Sequence, residues 1–182
     1  CHSPHVTKNL LSFNLLLLLP TMVFKKPHVI DLCEYLGCHY IQSYRFNAAQ
    51  LITYMFMHDP YSFGHVFFNM FSVFMFGRTL EAVWGSKRFL VFYMTTGIGA
   101  GLVQELTWYI SLHEAIVNTE MAIGWEQTRF MLNNIITIGA AGAVFGILLA
   151  VGMLSPNAEL FLMFIPVPIK AKYLVIGYGL NK

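Results

Sequence analysis

Long apolar stretches follow one another along this chain, and most of them approach the length that a lipid bilayer requires. A helix needs roughly 20 apolar residues to cross the hydrocarbon core. The composition agrees, because 57% of the 182 residues are hydrophobic and 11% are charged, whereas a soluble domain carries about 25% charged residues. The sequence therefore predicts an integral, multi-pass membrane protein whose main partner is the lipid bilayer. The net charge of +2 is too small, and the basic residues are too scattered, for a nucleic-acid-binding surface.

The apolar stretches predict an all-α transmembrane helix bundle in a single domain, residues 1–182. The spans are about 10–24, 62–83, 87–110, 141–154 and an incomplete 170–182, with outer loops at about 25–61 and 111–138. The aromatic, amphipathic piece Ala48–His58 suits a segment lying at the membrane interface. A cleaved signal peptide is the alternative for the first stretch, but no small-x-small cleavage site follows it. We therefore expect the first span to be retained.

The fourth stretch, Ala141–Leu154, is too short to cross the bilayer. It covers about 21 Å at the α-helical rise of 1.5 Å per residue, which is less than the hydrocarbon core. We therefore expect this helix to begin below the membrane surface, in a cavity that satisfies the irregular backbone before it. Small residues at four-residue spacing let membrane helices touch backbone to backbone. They are Gly142, Gly146 and Ala150 in this stretch, and Gly97 and Gly101 in the third.

Lysine and arginine predict the orientation through the positive-inside rule. With the amino terminus inside, one set falls on the cytoplasmic side and a smaller set outside. The inner set is Lys8, Arg78, Lys87, Arg88, Lys170 and Lys172, and the outer set is Lys25, Lys26, Arg45 and Arg129. The amino terminus is therefore predicted to be cytoplasmic, and the cavity is predicted to open outward beside residues 111–134.

Polar side chains inside a membrane helix are costly and are therefore candidates for function. His65 and Asn69 lie four residues apart on one face of the second stretch, with His58 just before it. A metal site would need a further ligand and is not favoured, and no cofactor is expected. Two interpretations stay open. The pair ties helices together, or it holds a developing oxyanion together with the backbone N–H of Ala141.

Two charged residues mark the predicted cytoplasmic end of the second stretch. Arg78 and Glu81 are three residues apart and precede Trp84-Gly85-Ser86. We interpret them as a helix-end ion pair followed by a tight turn, which is a structural feature rather than a chemical one.

The cysteines constrain the function little. Cys33 and Cys38, with Cys1, make an odd number, and their spacing fits neither a zinc site nor haem attachment. They are interpreted as a loop disulfide or as free thiols.

The polar residues and the glycines together resemble the rhomboid intramembrane serine proteases, from about Leu51 onward. Members of that family carry His-x-x-x-Asn in the second helix, Gly-x-x-x-Glu followed by a Gly-Ser turn, and Gly-x-Ser-Gly at the start of the fourth helix. The joint occurrence of these motifs, in order and at matching spacing, makes the likeness specific. The matching residues are His65 and Asn69; Gly77, Glu81, Gly85 and Ser86; and Gly139 and Gly142, with Ala141 between them at the serine position.

The resemblance implies a rhomboid-like six-helix bundle that cleaves transmembrane segments of membrane proteins. The motif serine attacks a peptide bond, and a histidine on the sixth helix acts as base, forming a Ser-His dyad without the acid of a triad. Asn69 and His65 match the oxyanion-hole side chains, Gly139 the first glycine of the motif, and His58 an outer histidine. Substrate would enter by movement of the fifth helix and the loop above the site. The lack of long soluble domains resembles bacterial members, which predicts the bacterial cytoplasmic membrane.

The sequence departs from the family pattern at two points. Ala141 stands at the nucleophile position, and its methyl group cannot attack a carbonyl. The sequence also ends at Lys182, within the expected fifth span, and we therefore expect the sixth helix with its histidine to be missing from it. We therefore expect an inactive copy of a protease. The alternative is a pseudoprotease that binds transmembrane helices as clients without cutting them. A transporter or channel is not favoured, because the chain has no inverted repeat.

Overall fold

The computed structural model describes residues 4–23, 32–59, 62–154, 159–161 and 168–170, and it is mainly helical. Its helices are α1 His5–Val23, α2 Leu32–Leu36, α3 Gln50–Thr53, α4 Phe63–Ser72, α5 Arg78–Trp84, α6 Ser86–Ile123, α7 Trp125–Met131 and α8 Ala141–Leu154. Short 3-10 turns, Tyr54–Phe56 and Leu132–Asn134, follow α3 and α7, and a π-helical segment, Val73–Gly77, joins α4 to α5. Two antiparallel ladders pair β1 Cys38–His39 with β2 Ile136–Thr137, and β3 Glu159–Phe161 with β4 Pro168–Lys170. The predicted all-α class is confirmed.

Two of the described helices are long and apolar enough to cross a membrane. They are the continuous helix Gly64–Trp84 and α6, while α8 is a shorter apolar helix with the predicted bounds. Large apolar side chains are exposed on their outer surfaces, as expected of helices that face lipid rather than water. These side chains include Phe74, Met75, Leu102, Val103, Leu106 and Met153. This protein is therefore a membrane protein.

α1 covers the predicted first span and is leucine-rich. It packs against α5, α6 and the π-helical segment, and leaves Leu15, Leu16 and Leu19 exposed. It is not one of the two described helices that are long and apolar enough to cross a membrane. A membrane span at residues 10–24 stays a prediction.

α8 lies at the centre of the helices and contacts α4, α5, α6 and the π-helical segment. A Cβ on Gly142 would collide with the Cβ of Ala100, and one on Gly146 would lie 2.8 Å from the Cβ of Thr96. Real Cβ atoms do not approach so closely. Glycine at these two positions therefore allows the close contact between α8 and α6.

Gly97 and Gly101 of α6 belong to a different contact. A Cβ on Gly97 would collide with the side chain of Met55, and one on Gly101 would lie 3.1 Å from the ring of Tyr54. The Tyr54 hydroxyl donates a hydrogen bond to the Gly97 carbonyl at 2.7 Å. The small residues of α6 thus receive the segment that follows α3, while Ala100 and Thr96 face α8.

α6 is longer than the predicted third span. At 1.5 Å per residue it extends about 57 Å, and the hydrocarbon core is only about 30 Å thick. The segment predicted as the start of an outer loop, residues 111–123, is helical rather than irregular. Good helix formers such as Leu112, Glu114 and Ala115 explain the extension. The helix ends at Gly124, which has φ +85°.

Residues 32–59 pack over the carboxy-terminal half of α6, and a second, smaller core lies there. β1 pairs with β2, so that Cys38 lies opposite Thr137, and the Tyr40 N–H donates to the Ile135 carbonyl at 3.1 Å. The core of this layer is aromatic and aliphatic: Tyr40, Ile116 and Leu132, with Trp108, Leu112, Trp125 and Ile135 packed against them. We call this region, residues 32–59 with residues 105–137, the outer layer.

Glu81 binds the amino-terminal turn of α1. Its carboxylate accepts hydrogen bonds from the backbone N–H groups of Val6 and Thr7 at 2.9 and 2.8 Å. It also accepts from the hydroxyls of Thr7 and Ser86 at 2.8 and 2.6 Å. The first N–H groups of a helix lack intrahelical partners and carry the positive end of the helix dipole. A carboxylate is therefore well suited to this position.

The predicted ion pair between Arg78 and Glu81 is wrong. The guanidinium of Arg78 lies over the ring of Phe74, 5.0 Å from its centre, because the carboxylate is turned toward α1. The tight turn after α5 is present, at Gly85 with φ +80°.

The predicted fifth span, residues 170–182, lies outside the described residues except for Lys170, the last residue of β4. Cys1, Lys25 and Lys26 also lie outside them.

Candidate functional site

α4 carries two polar residues of the candidate site, and one of them, His65, lies beside the turn that leads into α8. The Nε2 atom of His65 lies 3.9 Å from the position of a Cβ on Gly139. Asn69 follows one helical turn later, and its side chain is 4% exposed. Its Nδ2 atom has no hydrogen-bond partner among the described residues. A buried amide N–H without an acceptor costs free energy, so this group is a donor available to a bound molecule.

The turn before α8 has a backbone conformation that requires glycine. Gly139 has φ +123°, a value that residues with a Cβ rarely adopt. Its N–H donates to the carbonyl of Tyr54 at 2.9 Å. The chain then enters α8, whose first turn is closed by the bond from the Val144 N–H to the Ala140 carbonyl, at 2.9 Å. The preceding N–H groups, including that of Ala141, have no intrahelical acceptor and form the positive end of the helix.

The side chain at position 141 carries no nucleophile. Ala141 is partly exposed at the start of α8 and contributes only a methyl group. A sulfur nucleophile is present elsewhere, at Cys38, but burial and the nearby Glu105 raise the pKa of that thiol to about 12. A thiol with such a pKa is inert. The arrangement can donate hydrogen bonds to a carbonyl oxygen, but neither side chain supports covalent catalysis.

His58 lies in the loop before α4 and is 2% exposed. Burial, with a smaller contribution from the neighbouring His65, lowers the pKa of its imidazole to about 4. The ring is therefore neutral at physiological pH. Its backbone carbonyl accepts a weak hydrogen bond from the Cys33 thiol at 4.0 Å. Cys33 and Cys38 are both thiols. Of the two interpretations that the sequence allows, a loop disulfide or thiols, the structure shows the second for this pair.

Sequence reasoning missed the contacts that position the turn. The carbonyl of Tyr54 holds Gly139, while its hydroxyl holds Gly97. The β1–β2 ladder fixes Thr137 against Cys38, two residues before the turn. The sequence shows Tyr54 only as one aromatic residue of an amphipathic piece, and two-residue strands give no periodic signal.

Metal binding has no support in the described part of the chain. No group of three or more His, Cys, Asp or Glu side chains there lies close enough together to hold a metal ion.

Comparison with known proteins gives two matches and one negative result. The family model described as "Rhomboid domain" matches residues 45–180, which is more than half of the chain. The chain is 29% identical over 128 residues to the protein "Rhomboid protein 1, mitochondrial" of Saccharomyces cerevisiae. That alignment covers 70% of this chain and 31% of the yeast protein, so the chain spans about a third of the length of this relative. No solved structure matches the chain.

Proposed function

Because this chain belongs to the rhomboid family, we propose that the polar residues of α4 and the turn at the start of α8 form an intramembrane peptidase site whose nucleophile has been replaced. The buried, unpartnered amide of Asn69 is the observation that carries the proposal. In a membrane-embedded helix such a group is expensive unless it has a use. Ala141, at the nucleophile position, makes the chain as it stands inactive.

The mechanism follows from the donors around position 141. With serine there, the hydroxyl oxygen would attack the carbonyl carbon of a peptide bond and give its proton to a histidine base, which the family carries on the sixth helix. Negative charge would then develop on the carbonyl oxygen. The Asn69 amide, the His65 ring N–H and the backbone N–H of residue 141 would donate to that oxygen. The same donors bind the oxygen without a covalent step when residue 141 is alanine.

The substrates in this proposal are transmembrane segments of membrane proteins. α8 begins at Ala141 and is short, so the site lies below the membrane surface, where a segment arriving through the bilayer can reach it. The bacterial cytoplasmic membrane and a cytoplasmic amino terminus remain predictions. Reporter fusions at residues 85–86 and at 124–125 would test the orientation, since the two positions should lie on opposite sides.

The first test restores the nucleophile. Ala141→Ser in the full-length protein should cleave a model transmembrane substrate in liposomes. In the proposal the oxyanion donors are already present, and the sixth helix of the full-length protein supplies the histidine base. Ala140→Ser is the matched control, since it adds the same hydroxyl one residue earlier, and it should stay inactive. A folded Ala141→Ser protein without cleavage in any lipid or detergent would contradict the proposal.

The second test removes one oxyanion donor. In the Ala141→Ser background, Asn69→Ala should lower kcat on the order of 100-fold to 1,000-fold, the usual cost of losing one such donor. Asn118→Ala, an exposed asparagine of α6, is the control and should leave kcat unchanged. An equal kcat for Asn69→Ala would assign Asn69 to helix packing, the interpretation that the sequence leaves open.

A second candidate function is favoured by Ala141 itself, namely a pseudoprotease that holds a transmembrane helix without cutting it. A defined, fluorescent transmembrane peptide should then bind the unmodified protein in nanodiscs, and Asn69→Leu should weaken that binding while Asn118→Leu should not. The native codon at position 141 separates the two candidates. A serine codon favours the protease, and an alanine codon favours the pseudoprotease.

A further inference from the structure

A groove of about 260 Å³ lies on the surface where α1 passes α5 and the π-helical segment, far from Ala141. Its lining combines two cations, Lys8 and Arg78, with the apolar side chains of Leu11, Leu15 and Phe74. Lys8 and Arg78 are both exposed. This combination of charge and apolar surface is not used by the proposed peptidase site.

The two cations are not neutralised by the nearest carboxylate. Glu81 is 5% exposed, and its oxygens accept hydrogen bonds from Val6, Thr7 and Ser86 instead. Within the described residues, no ion pair involves Lys8 or Arg78. The groove therefore has a net positive end that is open to an anion.

The cations and the apolar residues occupy different depths along the helices. Lys8 lies near the amino-terminal end of α1, and Leu15 lies seven residues further, which is about 10 Å at the α-helical rise. Glu81 contacts the start of α1, while Phe74, seven residues earlier in the continuous helix Gly64–Trp84, lines the groove with Leu11 and Leu15, so the two helices run in opposite directions here. Arg78 is therefore level with Lys8, and Phe74 lies one turn deeper, level with the leucines. The charge therefore lies toward the ends of the two helices, and the apolar lining lies toward their middle.

A second cavity, of about 870 Å³, adjoins the groove and shares Arg78 and Phe74 with it. It adds the side chains of Thr79 and Ser86, next to the turn at Gly85. Both hydroxyls are already donated, that of Thr79 to the Met75 carbonyl and that of Ser86 to Glu81, which also lines the cavity. Arg78 is therefore the donor that this cavity offers to phosphate oxygens. The space is thus large enough for a headgroup next to Arg78.

We propose that this groove binds an anionic phospholipid, with its phosphate between Lys8 and Arg78 and an acyl chain along Leu11, Leu15 and Phe74. The guanidinium and the ammonium supply charge complementarity, and the apolar lining continues into the bilayer in the direction that an acyl chain takes. A bound lipid would hold α1 against α5 at the end of the bundle where Glu81 already joins them.

The test measures lipid affinity in the intact protein. Purified protein in detergent is titrated with dioleoylphosphatidylglycerol or dioleoylphosphatidylcholine, and bound lipid is counted by native mass spectrometry. Phosphatidylglycerol should bind more tightly. The double variant Lys8→Gln/Arg78→Gln should weaken its binding on the order of thirtyfold, from about 1 kcal/mol for each cation.

The matched control is Lys87→Gln/Arg88→Gln, which removes the same charge from the same end of the bundle but from residues that do not line the groove. It should change the affinity less than threefold. An equal loss in both double variants would overturn the proposal, because diffuse surface charge would then explain the preference. Equal binding of the two lipids would also overturn it.

Two further arms identify the source of the phosphate. Inorganic phosphate and glycerol 3-phosphate, at concentrations equal to the lipid, should not displace phosphatidylglycerol, since they lack the acyl chain. Leu15→Asn, at the deep end of the groove, should weaken phosphatidylglycerol binding even though both cations remain. Displacement by free phosphate, or no effect of Leu15→Asn, would contradict a lipid as the ligand.

Discussion

The membrane core around α8 and the outer layer differ in what holds them together. In the core, Gly142 and Gly146 bring α8 against Ala100 and Thr96 of α6, without interhelical hydrogen bonds at those contacts. In the outer layer, side chains bond to backbone groups distant in the sequence. Arg129 donates to the Gln42 carbonyl, Glu105 accepts from the Ile41 N–H, and the Asn133 side chain accepts from the Tyr44 N–H.

The difference follows from the two solvents. Lipid tails are as apolar as leucine, so helices in a bilayer gain little from hydrophobic burial and depend on close packing. The outer layer can bury apolar surface from water, and its irregular backbone needs hydrogen-bond partners. The aromatic cluster of Tyr40, Trp108 and Trp125 supplies the burial, and polar side chains supply the partners.

The candidate site lies where the two regions meet. Gly139 is held from the outer layer by the Tyr54 carbonyl, and α8 continues from it into the core. The position of residue 141 therefore depends on both kinds of interaction. Substitutions in each region separately should show how much that region contributes to the free energy of unfolding.

The largest expected effect comes from the core. Gly146→Val adds a branched side chain where even a Cβ would lie 2.8 Å from Thr96, and overpacking of this kind costs about 3 kcal/mol. We expect the free energy of unfolding to fall by about that amount, measured by denaturant titration of purified protein in mixed micelles. Gly99→Val is the control, because a Cβ on Gly99 meets no heavy atom within 4 Å. A small effect of Gly146→Val would mean that the core is loosely packed, which would remove the contrast between the regions.

A smaller effect is expected from the outer layer. The Gln50 side chain is 4% exposed and makes four hydrogen bonds. It accepts from the N–H groups of His39 and Asn47 and donates to the carbonyls of Tyr35 and Arg45. Gln50→Ala should lower the free energy of unfolding by about 2 kcal/mol, since it leaves buried groups unpaired.

Hydrogen exchange would locate that loss. Gln50→Ala should speed amide exchange in residues 32–59 and leave α8 protected, whereas Gln127→Ala, at an exposed glutamine of α7, should change neither. Faster exchange throughout α8 would show that the outer layer and the membrane core unfold together, so that they are not separate units of stability.

Much of the fold was predictable from the sequence, because hydropathy reports directly on the solvent of each segment. The bounds of α8 were predicted, and the family motifs identified the resemblance. The outer end of α6 was not, because residues 111–123 are polar and polar composition is common to loops and to helices in water. The partner of Glu81 was also missed, since an acidic residue near Arg78 suggests a local pair, and only the fold brings the start of α1 to it.

The site was predictable in part. His65, Asn69 and Gly139 carry recognisable spacing, and the structure brings His65 beside Gly139. Tyr54 was not predictable as the residue that holds Gly139, because the bond uses its backbone carbonyl, which every residue has. This turn is positioned by a backbone contact, and backbone contacts of this kind cannot be predicted from the identity of the residue that makes them.

The smallest expected effect concerns His58, at the junction of the two regions. Burial lowers the pKa of its imidazole from 6.5 to about 4, so the folded state favours the neutral ring. Between these two pH values the unfolded chain binds more protons than the folded protein, and stability therefore rises with pH. The stabilisation is fully present above pH 6.5, is lost as the pH falls toward 4, and should amount to about 1 kcal/mol between pH 7.5 and 5.5. His58→Gln should reduce the change in the free energy of unfolding across this interval by that amount, while Asn118→Gln, at an exposed position of α6, should not. An unchanged pH dependence in His58→Gln would mean that the outer layer opens easily enough for His58 to be protonated without unfolding. The junction would then belong energetically to the outer layer rather than to the core.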